Sequence, residues 1–181
     1  MRRLAAIALF LAIASEPAGA QAWFTDRGHA EFESSVPLHS FVGESDALVG
    51  RIALADSTVD FYLDLETLET GIGKRDKDMR TTLKTDEYPF AEFFGKLVTP
   101  FDPEGGRQVA HVRGTFTIHG VSREVEVEGT LEPVPDGVRL EAGWTLNLED
   151  YDIEPPSLLI VKVDPEQDIR IRATLAPESD R

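Results

Sequence analysis

Apolar and polar residues alternate along several stretches of the chain, and this period of two is typical of strands with one buried face. The clearest pair runs from Val112 to Leu131, where His119-Gly120 separates two alternating segments. The pattern there predicts a hairpin with one solvent-facing side. Further strands are predicted at 59–65, 140–148 and 169–175, each with alternate apolar residues on one side.

Weaker alternation brings the predicted total to eight strands or slightly more, with segments at 29–36, 41–44, 48–55, 91–98 and, very short, 158–163. Antiparallel strands with one apolar face each must either stack as a sandwich or close into a barrel. Periodicity alone leaves these two architectures equally open. An eight-stranded barrel is just wide enough to hold one small ligand.

A single stretch has helical spacing, because Ile72, Met79 and Leu83 fall on one face of a short amphipathic helix predicted from Ile72 to about Lys84. Its other faces carry Asp76 and Asp78 together with five cations: Lys74, Arg75, Lys77, Arg80 and Lys84. Two interpretations stay open. The helix is either a fixed plug with paired surface charges, or a lid whose cations make transient contact with an anionic membrane surface.

The first 20 residues are expected to be a secretory signal peptide, because Arg2 and Arg3 precede an apolar run, Leu4–Ala14, and the small-residue site Ala18-Gly19-Ala20. The run is shorter than the roughly 20 residues of a spanning helix. Residues 21–181 would then form a single domain, with a periplasmic or secreted location.

Charge and composition narrow the function. The net charge of −15 over 181 residues argues against nucleic-acid binding, which relies on cations that neutralise phosphates. The chain has no cysteine, so disulfides and thiol nucleophiles are excluded. Its four histidines lie far apart in sequence, and no Gly-x-Ser-x-Gly elbow is present. We therefore expect no catalytic residues, no metal site and no cofactor.

Two segments of the chain carry a family resemblance. The first is Thr70-Gly71 with Arg75-Asp76, Met79, Leu83 and Tyr88-Pro89-x-Ala91-x-Phe93, and the second is the run from Gly114 to Val125, which contains Thr117-Ile118-His119-Gly120-Val121. Both resemble the signature motifs of the YceI-like polyisoprenoid-binding family. The resemblance implies an all-β, closed antiparallel lipocalin-like barrel of about eight strands with a tunnel for a long isoprenoid chain. It favours the barrel over the sandwich.

Alternation assigns the inward-facing side chains of such a barrel, and we predict that these ten contact the ligand: Phe61, Leu63, Met79, Leu83, Phe93, Phe116, Ile118, Trp144, Leu146 and Leu148. Ordinary core packing also explains each of them singly. Small residues in the same inward sets favour a ligand, since they predict space in the interior: Gly114, Gly129, Ala142 and Ala173. The predicted mouth consists of Ile72 and the five helix cations.

Two functions therefore stay open. The chain is either a carrier of an isoprenoid lipid or quinone, or a ligand-free structural or stress-linked periplasmic factor that acts through protein partners. The sequence leaves the oligomeric state undetermined.

Overall fold

A computed structural model of the chain describes residues 22–36, 39–155, 157–158 and 161–178. The predicted signal peptide, residues 1–20, lies outside the described residues. The described strands are β1 (Ala22–Val36), β2 (His39–Ala53), β3 (Thr58–Asp64), β4 (Phe90–Leu97), β5 (Gln108–Ile118), β6 (Val121–Val134), β7 (Gly137–Asn147), β8 (Ser157–Leu158), β9 (Val161–Lys162) and β10 (Glu166–Pro177).

Eight of these strands close into one antiparallel barrel in the order β1-β10-β7-β6-β5-β4-β3-β2, and β8 and β9 form a separate two-stranded sheet. Helix α1 (Gly73–Leu83) connects β3 to β4, and 3-10 helices occupy Leu65–Thr67 and Leu148–Tyr151. The closed all-β barrel with one helix confirms the predicted fold class. The hairpin between Val112 and Leu131 is confirmed as β5 and β6.

The region predicted as two strands, 41–44 and 48–55, is one continuous strand, β2. Gly43 and Gly50 interrupt the apolar pattern of this strand. The rings of Phe32 and Phe61 occupy the positions that their missing side chains would take. These glycines therefore receive a ring from a neighbouring strand and do not end the pairing.

Several other boundaries differ from the prediction, and three of them have a local cause or change the strand pairing. Strand β1 begins at Ala22 and not at His29, because register shifts around Gly28 break its alternation. Strand β7 ends at Asn147, whose side chain accepts a hydrogen bond from the N–H of Glu149 and starts a 3-10 helix at Leu148. The short strand predicted at 158–163 is instead the pair β8 and β9.

The two ends of the barrel are built differently. At one end, Trp23 and Phe101 meet edge to face with ring centroids 5.9 Å apart, and Leu175 beside them is fully buried. This end is closed by packed side chains. The opposite end carries α1, because β3 ends there and β4 begins there.

Strands β4 and β5 lie close together where Gly95 pairs with Gly114. The ring of Phe93 lies against both glycines on the inner side of the sheet. A methyl group at Gly114 would stand 2.5 Å from the carbonyl oxygen of Phe94 and 2.6 Å from Cα of Gly95. Both atoms belong to the backbone, so a side chain cannot be accommodated by rotating a neighbour.

We predict that Gly114→Ala lowers the free energy of unfolding by about 1–3 kcal/mol, because the two strands must separate to admit the methyl group. Gly106→Ala is the matched control, since nothing lies within 4 Å of its added Cβ. Urea unfolding of both variants checks the prediction. Equal stability of the two would show that the close strand contact is not a constraint.

Candidate functional site

The barrel encloses an apolar cavity of about 580 Å³ that extends from the packed end to α1. This volume lies within the range of about 300–1,000 Å³ that is typical of small-molecule sites. The wall is made almost entirely of aliphatic and aromatic side chains from the barrel strands, α1 and the adjoining loops. A cavity of this kind can bind an apolar molecule by removing its surface from water.

All ten residues predicted to contact a ligand line this cavity. Strands β3, β4, β5 and β7 contribute Phe61, Leu63, Phe93, Phe116, Ile118, Trp144 and Leu146. Helix α1 adds Met79 and Leu83, and the 3-10 helix after β7 adds Leu148. Trp144 packs edge to face on Phe116, with ring centroids 5.4 Å apart.

Sequence reasoning missed the contribution of the first two strands. Phe32 and Ser34 of β1 and Phe41 and Ile52 of β2 also line the cavity. Phe32 and Ser34 are two residues apart on β1, and this spacing could have placed both side chains on the inner face. It was obscured because Gly43, Gly50 and the bulge around Gly28 break the alternation of the two strands.

The prediction from small residues is half correct. Gly129 and Ala142 line the cavity, as predicted. Gly114 does not, because the ring of Phe93 fills the space above it. Ala173 also lies off the cavity and packs against the site of the missing side chain at Gly28.

A cluster of polar side chains fixes the N-terminal end of helix α1. Asp76 is buried and accepts hydrogen bonds from the backbone N–H of Thr70, at 2.8 Å, and from the hydroxyl of Thr70. The bond from the Thr70 hydroxyl holds the pKa of the Asp76 carboxyl below its usual value, and the Arg80 and Arg75 charges lower it further. Arg75 donates from its Nη2 to the carbonyl of Thr70 at 2.8 Å.

Two further contacts fix the helix. The Arg75 guanidinium lies 4.3 Å from the ring centroid of Phe41, a cation–π contact with β2. Near the C-terminal end, Arg80 donates to the carbonyl of Glu66 at 3.0 Å and lies 3.3 Å from its carboxylate. Thr85 donates to the same carboxylate.

Only some of the six residues predicted at the mouth border the cavity. Ile72, Lys74 and Arg75 border the cavity, whereas Lys77, Arg80 and Lys84 do not. Arg80 lies off the cavity, where Glu66 holds its side chain. Lys74 pairs with Asp78 one turn along the helix, at 2.9 Å. Lys77 and Lys84 project into solvent.

Polar groups on the cavity wall are few. Gln167 donates from its amide to the backbone carbonyls of Asp164 and Glu166. Ser34 is fully buried, and neither its Oγ nor the indole nitrogen of Trp144 has a hydrogen-bond partner, although both atoms are shielded from solvent.

The described residues include no group of three or more histidine, aspartate or glutamate side chains that could hold a metal ion. His119 lies in the β5–β6 turn with a positive φ of 56°, and its Nδ1 is 3.2 Å from the carbonyl of Tyr151. This histidine does not line the cavity and holds the turn to the neighbouring 3-10 helix. Within the described ranges, no helix has the length and hydropathy needed to cross a membrane.

Comparison with known proteins identifies one family. The family model described as YceI-like domain matches residues 23–175. No curated protein matches the chain.

Several solved structures share the fold. A polyisoprenoid-binding domain from Saccharophagus degradans, implicated in plant cell wall breakdown, superposes with a TM-score of 0.74 at 18% identity over 87% of this chain and 98% of its own. BcnA of Burkholderia cenocepacia gives 0.67 at 14% identity, over 80% and 94%. The YCEI protein of Campylobacter jejuni gives 0.51 at 14% identity, over 96% and 98%.

Proposed function

This chain belongs to the YceI-like domain family, and we propose that it is a periplasmic or secreted carrier of a long apolar isoprenoid, either a quinone or another polyisoprenoid. The observation that carries the proposal is the apolar cavity of about 580 Å³ inside the closed barrel. The polyisoprenoid-binding domain of Saccharophagus degradans, which has the same fold, supports this class of ligand. The signal-peptide pattern of residues 1–20 supports the location.

Burial of the ligand's hydrocarbon is the expected source of affinity. Each buried CH₂-sized group contributes about 0.8 kcal/mol, so a five-carbon isoprene unit contributes about 4 kcal/mol. Two units are enough to offset several kcal/mol of lost ligand freedom. Chain length should then matter more than the chemistry of the head group.

The lining supports binding without catalysis. Among the described residues, no histidine contributes to the cavity wall, and its acidic members, Glu31 and Asp78, are engaged with Arg170 and Lys74. We propose that the protein is not an enzyme and requires no cofactor. The alternative function is a ligand-free structural or stress-linked factor that acts through protein partners.

Organic-solvent extraction of the purified protein, followed by mass spectrometry, separates these two functions. The carrier should release an isoprenoid, whereas a ligand-free factor should release none. Ala142→Phe is expected to lower the yield several-fold, because it places a ring in the cavity. Thr145→Phe, three residues along β7 on the exposed face, is the matched control. Equal and empty extracts from all three proteins would contradict the proposal.

Helix α1 is proposed to be the lid of the cavity. It lines the cavity through Met79 and Leu83, and Lys77 and Lys84 are exposed on its outer side. A lysine near an anionic bilayer contributes about 1 kcal/mol of attraction, and the Debye length of about 8 Å screens the distant carboxylates. Transient contact of this end with a membrane is therefore compatible with the acidic net charge. The rival interpretation is a plug held by Thr70 and Glu66.

We predict that Lys77→Glu/Lys84→Glu slows ligand transfer from anionic vesicles about tenfold, because repulsion replaces attraction between the outer side of α1 and the membrane. The matched control is Arg27→Glu/Lys96→Glu, which changes the net charge equally at exposed sites on strands β1 and β4, outside α1. Fluorescence of a quenchable lipid probe gives the rate. Transfer at the wild-type rate by a folded Lys77/Lys84 variant would reject the lid and favour the plug.

A further inference from the structure

We infer that the lumen contains a site for an oxygen-bearing head group, formed by the hydroxyl of Ser34 and the indole N–H of Trp144. This inference rests on the proposed function. It adds which end of the ligand the protein recognises and in which direction the ligand's hydrocarbon lies in the lumen. The two groups are the polar atoms of the described cavity wall that are buried without a hydrogen-bond partner.

An unpaired buried polar group is costly. A donor or acceptor that is buried without a partner destabilises the fold, and the large majority of buried polar groups in folded proteins are paired. Ser34 is fully buried, with 0% of its surface exposed. Two such groups on one cavity wall indicate a partner that the protein itself does not provide.

Strand register places the two residues close together. Ser34 of β1 is directly opposite Gln167 of β10, and Trp144 of β7 is directly opposite Ile169 of β10. The pair therefore lies on either side of β10, offset by two residues, with Cα atoms about 12 Å apart from the strand spacings. Both residues line the cavity, and we infer that one head group between them bonds to both.

The neighbouring residue Gln167 does not form a hydrogen bond with the Ser34 hydroxyl or with the Trp144 indole N–H. Its amide nitrogen is already donated to the backbone carbonyls of Asp164 and Glu166, at 2.6 and 3.0 Å. The ring of Phe116 fixes the Trp144 indole from the side, through an edge-to-face contact. The indole N–H is thus held in place and left available.

The chemistry of the pair specifies the ligand. An indole N–H only donates, so it requires an acceptor oxygen, whereas a serine hydroxyl both donates and accepts. A hydroxyl or carbonyl oxygen satisfies both groups.

The site also gives the ligand a direction. Ser34 lies near the end of β1 and Gln167 near the start of β10, at the end of the barrel that carries α1. Phe41, the cross-strand partner of Ser34, carries the guanidinium of Arg75 from that helix. The oxygen therefore lies near the mouth, and the hydrocarbon chain extends toward the packed end at Trp23.

The test compares geranylgeraniol with the hydrocarbon that lacks its hydroxyl group. In wild-type protein the alcohol should bind about tenfold more tightly. Ser34→Ala and Trp144→Phe should each reduce that ratio several-fold, because one hydrogen bond to the oxygen is lost, while affinity for the hydrocarbon changes little. Ser35→Ala, the exposed neighbour on β1, is the control and should keep the wild-type ratio.

A second measurement does not require the Ser34→Ala or Trp144→Phe variant. In Trp23→Phe protein, the single remaining indole N–H resonance belongs to Trp144, and it should move downfield with the alcohol but not with the hydrocarbon. Equal affinity for the two compounds, with an unmoved resonance, would overturn the head-group site and would leave the carrier function intact. Failure of both compounds to bind would overturn the site and the carrier function together.

Discussion

Pairing between the first and last strands of the barrel closes the sheet, and the lumen depends on that closure. Strand β1 pairs with β2 on one side and with β10 on the other, so the eight-stranded sheet has no free edge. Closure turns every inward side chain toward another across a narrow interior. Several aromatic rings of the interior pack against glycines of the wall: Phe32 on Gly43, Phe61 on Gly50, and Phe93 on Gly95 and Gly114.

The closed sheet also separates two environments. Charged side chains cover the outer face, where Arg113 pairs with Glu126 across β5 and β6. The inner face is apolar, so a chain-like hydrocarbon gains the full benefit of leaving water there. The polar groups that hold α1, Asp76 with Thr70 and Arg80 with Glu66, lie beside the lumen and leave its surface apolar.

Local periodicity was sufficient for much of the fold and for the inward side of the seven strand residues among the ten, because a residue's side of a strand depends only on its parity. Helical spacing placed Met79 and Leu83 on one face of α1. Parity is the same in a sandwich and a barrel, so the family resemblance was needed to choose between them. The continuity of β2 could not be predicted, because the ring that covers Gly50 comes from β3. The direction of Arg80 depended on Glu66, fourteen residues away. The unpaired state of Ser34 likewise depends on which atoms three strands bring together.

The central claim is that the lumen binds a hydrocarbon chain by burying it, and titration with a ladder of isoprenoid alcohols of increasing length tests this most directly. Binding can be followed by Trp144 fluorescence in Trp23→Phe protein. Affinity should rise at least tenfold with each added isoprene unit until the cavity is full, and then level off. Affinity that does not increase with chain length would contradict the account.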